Sequence, residues 1–269
     1  MVNKDRRRRE LARQKYARQQ QRRVDSARRT KRRNVLIAGV VAVALAAGAT
    51  AYASVKLIGG DRSTTDDASA DPCARPAPGS PSKKTWPKEP AMAIDSSAPY
   101  TARLATTCGQ ITFTLDAAKA PHTVNSFAFL AGQGYFDHSR CHRLVDQNIY
   151  VLQCGDPKGT GEGTPGYTLP DENLKDPRIK GNVYPAGTVA MANRYDGTNP
   201  KTRNSGGSQF FLVYKDSQLP PNYTPFGRVT GGMDVLKKIA DAGSHPEPAT
   251  GNTAPNATVV IDRATVGKS

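Results

Sequence analysis

Residues 35–58, VLIAGVVAVALAAGATAYASVKLI, form one apolar run of 24 residues with no charge before Lys56. A helix needs about 20 such residues to cross the hydrocarbon core of a bilayer. No other feature constrains the chain as strongly, because the run divides it into an arm and a domain on opposite sides of a membrane. The arm, residues 1–34, holds fifteen Lys/Arg against Asp5, Glu10 and Asp25, a net +12 out of the chain's +15. Dense basic residues ahead of an apolar span keep that side in the cytoplasm. The expectation is a single-pass protein of the cytoplasmic membrane, N-terminus inside and C-terminal domain outside. The alternative is secretion after cleavage near Ala53, since Ala51-Tyr52-Ala53 has the A-x-A-like form of a signal-peptide site. A 34-residue basic region is long for such a leader, which favours a retained anchor. The absence of a cysteine at the end of the run argues against a lipoprotein.

The basic arm reads as a solvated tail whose partner is anionic lipid, each Lys/Arg near the surface adding about 1 kcal/mol. Nucleic acid is disfavoured, because no aromatic or fold signal accompanies the charge. Residues 59–99 are rich in Pro, Ser, Asp and Ala without an apolar period, which reads as a flexible tether. Residues 100–269 suffice for one domain with its own core.

In that domain TARLATTCGQITFTLD reads as two strands around a turn, with Ile111, Phe113 and Leu115 alternating. Residues 120–131 carry Pro121 early, Val124, Phe127 and Ala131 on one face, and Gly132 and Gly134 as stops. That pattern predicts a helix. A second helix is predicted from Met233 to Ala242, with Leu236, Ile239 and Ala240 on one face. Strands are predicted at 141–145, 149–154, 187–192, 209–214, 225–229 and 257–266. Many short strands, Gly/Pro joints and two helices point to a mainly β fold, a closed antiparallel barrel with helices over its ends.

GDPKGTGEGTPG at 155–166 lacks the Gly-Lys-Ser/Thr ending of a phosphate loop, and no helical pattern follows it. It reads as a surface turn. Cys141, His142 and Cys154 invite a metal or thiol site. On a strand, however, adjacent Cys141 and His142 point to opposite faces and cannot both grip one ion. Alternation instead places His142 with Leu144, and Cys141 with Arg143 and Val145. On the other arm Tyr150, Leu152 and Cys154 share a face, as do Val151 and Gln153. Cys141 and Cys154 lie at mirrored distances from the hairpin's middle, which suggests a disulfide in an oxidising compartment. Cys73 and Cys108 would then form the second pair.

His142-Arg143 with Gln153-Cys-Gly-Asp156, Gly187-Thr-Val-Ala-Met-Ala-Asn193, Asn204-Ser-Gly-Gly-Ser-Gln-Phe-Phe211 and Phe226-Gly-Arg-Val229 together resemble the cyclophilin signature. The resemblance covers roughly Tyr100 to Val266. It implies an eight-stranded barrel capped by two helices, peptidyl-prolyl cis-trans isomerase activity, and proline-containing polypeptides as substrates. It implies Arg143 as the catalytic residue. Phe211 would floor a proline pocket walled by Tyr150, Val151, Leu219 and Tyr223. Gln153 and Gln209 would lie near the substrate carbonyl, and Ala192 and Asn193 would hold the peptide backbone. No cofactor and no metal is implied, and a monomer is expected.

The chain also departs from the family. The indole position before Leu219 is Gln218, which implies weak inhibition by the cyclic peptide cyclosporin. The interval from His-Arg to Gln153 holds two extra residues, and that from Asn193 to Gln209 seven. Cys141 and Cys154 replace a Phe and a Gly, a double change that fits a disulfide. The expected role is isomerisation of X-Pro bonds in exported, folding polypeptides. The rivals are an anchored chaperone with little turnover and a thiol-disulfide enzyme using Cys141 and Cys154.

Overall fold

The computed structural model describes residues 71–195, 198–248 and 250–269. The basic arm, the apolar run at 35–58 and the start of the 59–99 segment lie outside the described residues, among which no helix is long and apolar enough to cross a membrane. Alternation makes the first hairpin: Tyr100–Thr106 (β1) pairs with Gly109–Leu115 (β2), setting Leu104 opposite Ile111 and Ala102 opposite Phe113. All four are buried. Then follow β3 (Ser139–Arg140), β4 (Arg143–Val145), β5 (Val151–Cys154), β6 (Val183–Tyr184), β7 (Thr188–Met191), β8 (Phe210–Val213), β9 (Ser217–Gln218), β10 (Pro225–Gly231), β11 (Ser244–Glu247), β12 (Asn252–Pro255) and β13 (Val260–Lys268). Nine of them form one sheet in the order β3-β13-β1-β2-β10-β7-β8-β5-β4, while β6–β9 and β11–β12 are separate ribbons.

That order dictates the shape. Laid flat, strands about 4.8 Å apart would hold the outer two about 38 Å from each other. Yet β3 and β4 are consecutive, and the chain from Arg140 to Arg143 spans at most about 11 Å. The sheet must curl until its edges meet. Among the described residues no ladder joins β3 to β4, so the structure shows a curled nine-stranded sheet whose edges approach without pairing, and the eight-stranded closed barrel expected is not seen. Strands of two residues, such as β3, are too short to leave a periodic pattern in a sequence.

The curled sheet wraps an aromatic core in which Phe127 meets Phe136 at 4.9 Å, Phe210 at 5.3 Å and Phe113 at 5.7 Å between ring centroids. Phe127 comes from α1 (Pro121–Gly132), whose Val124, Phe127 and Ala131 are buried as their spacing predicts. The start of α1 lacks a side-chain cap of its own, since Ala120 holds that position. Glu172, fifty residues on, substitutes: its carboxylate accepts from the backbone N–H of His122 and Thr123 and from the Thr123 hydroxyl, a charge the helix N-terminus favours. The second helix, α2 (Met233–Asp241), buries Leu236 and Ile239.

Residues 71–99 are no free tether. Cys73 is bonded to Cys108, Ala74 N–H donates to Thr107 O, and Ala77 N–H to Asp262 Oδ1. Trp86 packs edge-on against Phe129 with centroids 5.1 Å apart, and its backbone N–H donates to Pro165 O. The Asn125 carboxamide takes Ala93 N–H and Ile94 N–H and donates to Pro90 O and Ala91 O. Each contact is to an individual fixed partner, so the segment needs no apolar period to be held.

Candidate functional site

Three ladders set the site. Arg143 of β4 stands opposite Gln153 of β5, Gln153 opposite Phe211 of β8, and Phe211 opposite Ala190 of β7. Directly opposed residues present their side chains on one face, so a guanidinium, an amide and an aromatic ring line up across the sheet. They border a cavity of about 160 Å³ whose wall also includes Ile149, Val151, Ala192, Asn193, Leu219 and Tyr223. Val151, Phe211 and Leu219 are buried and supply its apolar part. Tyr223 stands edge-on to Phe211 at 5.3 Å, and its own carbonyl accepts from the Tyr184 hydroxyl.

Arg143 is half-buried, and its Nη1 donates to Gln153 Oε1 at 3.3 Å. Burial lowers its pKa and the neighbouring Tyr223 opposes that shift. An arginine so placed remains charged at physiological pH. Burial raises the Tyr223 hydroxyl's pKa, with Arg143 pulling the other way. Gln153 passes the connection on: its Nε2 donates to Gln209 Oε1 at 2.9 Å, and Gln209 Nε2 donates to Gly161 O and Gly163 O. A chain of amides thus orients the guanidinium from the glycine-rich loop.

The loop itself is organised around Asp156, which is fully buried. Its carboxylate accepts from the backbone N–H of Lys158, Thr160, Gly161 and Gly163. Burial pushes the Asp156 carboxyl up, but those backbone donors outweigh it and hold the pKa below the ordinary value. The N–H groups that a phosphate loop would offer a ligand are spent on Asp156. Gly163 has to be glycine, because a Cβ there would sit 1.8 Å from Asp156 Oδ1.

A second cavity, about 360 Å³, shares Gln153, Ala192 and Asn193 with the first. Gln209 belongs to this second wall and reaches the first cavity through Gln153. Asn193 is fixed by donation to Asn222 O at 2.6 Å. Tyr150 departs from expectation. It does not line the first cavity; its ring packs against Tyr214 at 5.9 Å, with Lys215 Nζ 4.5 Å from its centroid. Ile149 takes the wall position. Alternation from Gln153 through Val151 leads to Ile149, the signal that finds it in the sequence.

Both cysteine pairs are disulfides, Cys73–Cys108 and Cys141–Cys154, and no cysteine is free. Cys141 lies between β3 and β4, its backbone N–H donating to Val259 O, so its disulfide crosses the seam where the sheet's edges approach. Cys141 is 2 % exposed and Cys154 0 %. Sulfurs so enclosed offer no access for exchange, which removes the thiol-disulfide reading. His142 is buried, and among the described residues neither of its ring nitrogens has a hydrogen-bond partner. Gln218 is exposed, its Nε2 donating to Gly181 O.

The site is thus a small, partly apolar cavity bordered by a guanidinium and by the Gln153 amide, on a curled sheet. A model of the cyclophilin type peptidyl-prolyl cis-trans isomerase/CLD family matches residues 101–266, and the chain belongs to that family. It is 46% identical over 184 residues to the probable peptidyl-prolyl cis-trans isomerase B of Mycobacterium leprae (strain TN), covering 65% of this chain and 57% of that one. It is 35% identical over 133 residues to the peptidyl-prolyl cis-trans isomerase B of Bacillus subtilis (strain 168), covering 49% of this chain and 84% of the relative. The chain spans about half the length of the mycobacterial relatives it matches, 57% of one and 46% of another. A crystal structure of a cyclophilin type isomerase from Cryptosporidium parvum superposes with a TM-score of 0.51 at 25% identity, over 64% of this chain and 99% of that chain. A second, determined in the presence of the dipeptide Ala-Pro, gives 0.50 at 26%, over 63% and 99%.

Proposed function

We propose that this chain is a peptidyl-prolyl cis-trans isomerase that acts on X-Pro bonds of polypeptides. The observation that carries the reading is the Arg143 guanidinium on the wall of the small cavity whose apolar part is Val151, Phe211 and Leu219. Rotation about the peptide C–N bond must break amide resonance, a barrier of about 18–20 kcal/mol. In the twisted state the proline nitrogen regains a lone pair. A guanidinium fixed beside the ring donates to that lone pair only when resonance is lost, so it favours the transition state over either ground state. The apolar wall takes the pyrrolidine ring, and the amide row from Gln209 through Gln153 holds Arg143 in place. No bond to the protein forms. The relative crystallised with Ala-Pro supports proline peptides as ligands.

The substrates in this reading are exported chains still folding, for which slow X-Pro isomerisation limits the rate. The support is the apolar run Val35–Ile58 behind a basic arm, acting as an anchor in the cytoplasmic membrane. The test is a prolyl-peptide exchange assay by NMR or coupled proteolysis, with wild type and Arg143→Ala. A loss of about a hundredfold in kcat/KM is expected, the size of losing one preorganised donor. Equal rates for the two proteins would leave only a binding role, that of an anchored chaperone.

A further inference from the structure

The second cavity differs in chemistry from the first. Among the described residues its wall carries one charged side chain, Arg194, beside Ala192, glycines, amides and hydroxyls. Arg194 starts the stretch that runs from Asn193 to Gln209, and its N–H donates to Ser205 Oγ. Its guanidinium reaches across to the glycine-rich loop, where Nη2 lies 3.5 Å from Glu162 O. That contact is at the limit of a hydrogen bond, and the side chain is exposed, so the head group turns to a ligand at little cost. Among the described residues no carboxylate forms an ion pair with it. Asp156 is committed to four backbone N–H groups, Asp171 pairs with Arg203, and Glu162 is exposed and not part of the wall.

We propose that Arg194 makes this enzyme prefer proline segments that carry a carboxylate side chain within about three residues of the proline. The two cavities share Gln153, Ala192 and Asn193, so a peptide with its proline ring in the first passes over the second. One extended residue advances the chain by about 3.4 Å, which puts the second cavity within reach of near neighbours only. A carboxylate there meets a planar guanidinium suited to two parallel hydrogen bonds. The inference rests on the isomerase reading for its substrate but is read independently as binding.

The experiment uses proline peptides with Glu, Gln or Lys placed at each of three positions on either side of the proline. Both Kd, by calorimetry, and kcat/KM are measured at low and at 0.5 M salt for wild type, Arg194→Gln and Arg194→Glu. For wild type, Glu is expected to beat Gln by about threefold at one flank, the scale of a rim ion pair, with the advantage lost at high salt. The ratio should fall to one in Arg194→Gln and invert toward Lys in Arg194→Glu. Equal binding of the Glu, Gln and Lys peptides, or a Glu preference that survives in Arg194→Gln, overturns the proposal. Binding that follows charge without any turnover in wild type keeps it and instead sinks the isomerase reading.

Discussion

Arg143 and Gln153 face each other across the β4–β5 ladder, and the guanidinium leans on the amide oxygen at 3.3 Å. The same amide's Nε2 is held by Gln209, so Gln153 has one orientation to offer. Gln153→Ala frees the guanidinium's rotamers and should lower kcat/KM about tenfold, loosened orientation costing about 1.4 kcal/mol. Arg143→Lys should fall nearly as far as Arg143→Ala, because an ammonium lacks the planar fork. Activity of the wild type should change little between pH 6 and 9 on Arg143's account, since arginine stays protonated throughout. A pH profile with a sharp inflection that vanishes in the Arg143 variants would count against this assignment.

The Cys141–Cys154 bond closes a stretch with a sequence separation of 13 and ties β5 to the residue that leads into β4. Losing a link of that span costs about 3 kcal/mol in the loop-entropy account. Because it fastens the seam two residues from Arg143, the Cys141→Ala/Cys154→Ala protein should lose activity as well as stability. The other bond, Cys73–Cys108, joins the 71–99 segment to the β1–β2 turn. Its removal should lower stability and leave kcat/KM of the folded protein near wild type. Urea unfolding beside the peptide assay separates the two; identical activity losses for both pairs would contradict the seam argument.

Of the three ladders that set the site, the β4–β5 hairpin was legible in the residues because period-two alternation needs no more than five or six positions, whereas the β5–β8 and β7–β8 pairings join segments far apart in sequence. Alternation sorted Val151 with Gln153, and by extension Ile149, which lines the cavity; the family pattern pointed to Tyr150 instead. The extra residues between Arg143 and Gln153 explain the slip. The observed register centres the turn on Asn148, which adopts φ 65°, and this turns the Tyr150 ring toward Tyr214. The 71–99 segment was illegible for a different reason. It is held by a disulfide, by single backbone bonds and by the Asn125 carboxamide, none of which leaves a period in the sequence.

Trp86 anchors that segment, and its carbonyl lies where a Cβ on Gly166 would come within 2.5 Å. Gly166 also has φ +96°, which L side chains adopt only with strain. Gly166→Ala should therefore destabilise by about 1–3 kcal/mol from crowding alone. Trp86→Ala should cost about 2–3 kcal/mol, below the range for a fully buried indole, because Trp86 is only partly buried. Thermal unfolding of both variants measures this, and a Trp86→Ala protein as stable as wild type would mean the segment is not held.

Two histidines give opposite pH slopes to stability. Burial holds the His142 pKa below 6.5, with Asp156 opposing and Arg143 and Arg140 reinforcing. The unfolded chain then takes up a proton near pH 6.5 before the folded one does, so stability falls as pH drops below 6.5 and levels off beneath the folded pKa. His122 is raised above 6.5 by its hydrogen bond to Glu89. Its contribution is complete below pH 6.5 and is lost as pH rises through the raised value. His122 is about half exposed, so solvent screening makes its effect the smaller. His142→Gln should flatten the fall of Tm between pH 7 and 5, and His122→Gln should steepen it slightly. Unchanged slopes in both variants would refute the assignment.

Gln218 stands where the family resemblance expects an indole whose N–H bonds cyclosporin. Here the side chain is exposed and donates to Gly181 O at 2.8 Å, a contact to its neighbouring loop that leaves no ring nitrogen over the pocket. The adjacent Leu219 keeps the apolar wall, so proline binding survives while the drug loses one donor. A hydrogen bond of this kind is worth about 1–1.5 kcal/mol, close to a tenfold change in affinity. Cyclosporin should therefore inhibit the wild type weakly, and Gln218→Trp should tighten it about tenfold without a comparable change in kcat/KM for a short proline peptide. The exchanged residue loses only the exposed Gly181 contact, so the variant should fold. Stoichiometric inhibition of the wild type at low micromolar protein, or no gain in Gln218→Trp, would show that the donor at this position does not set drug affinity.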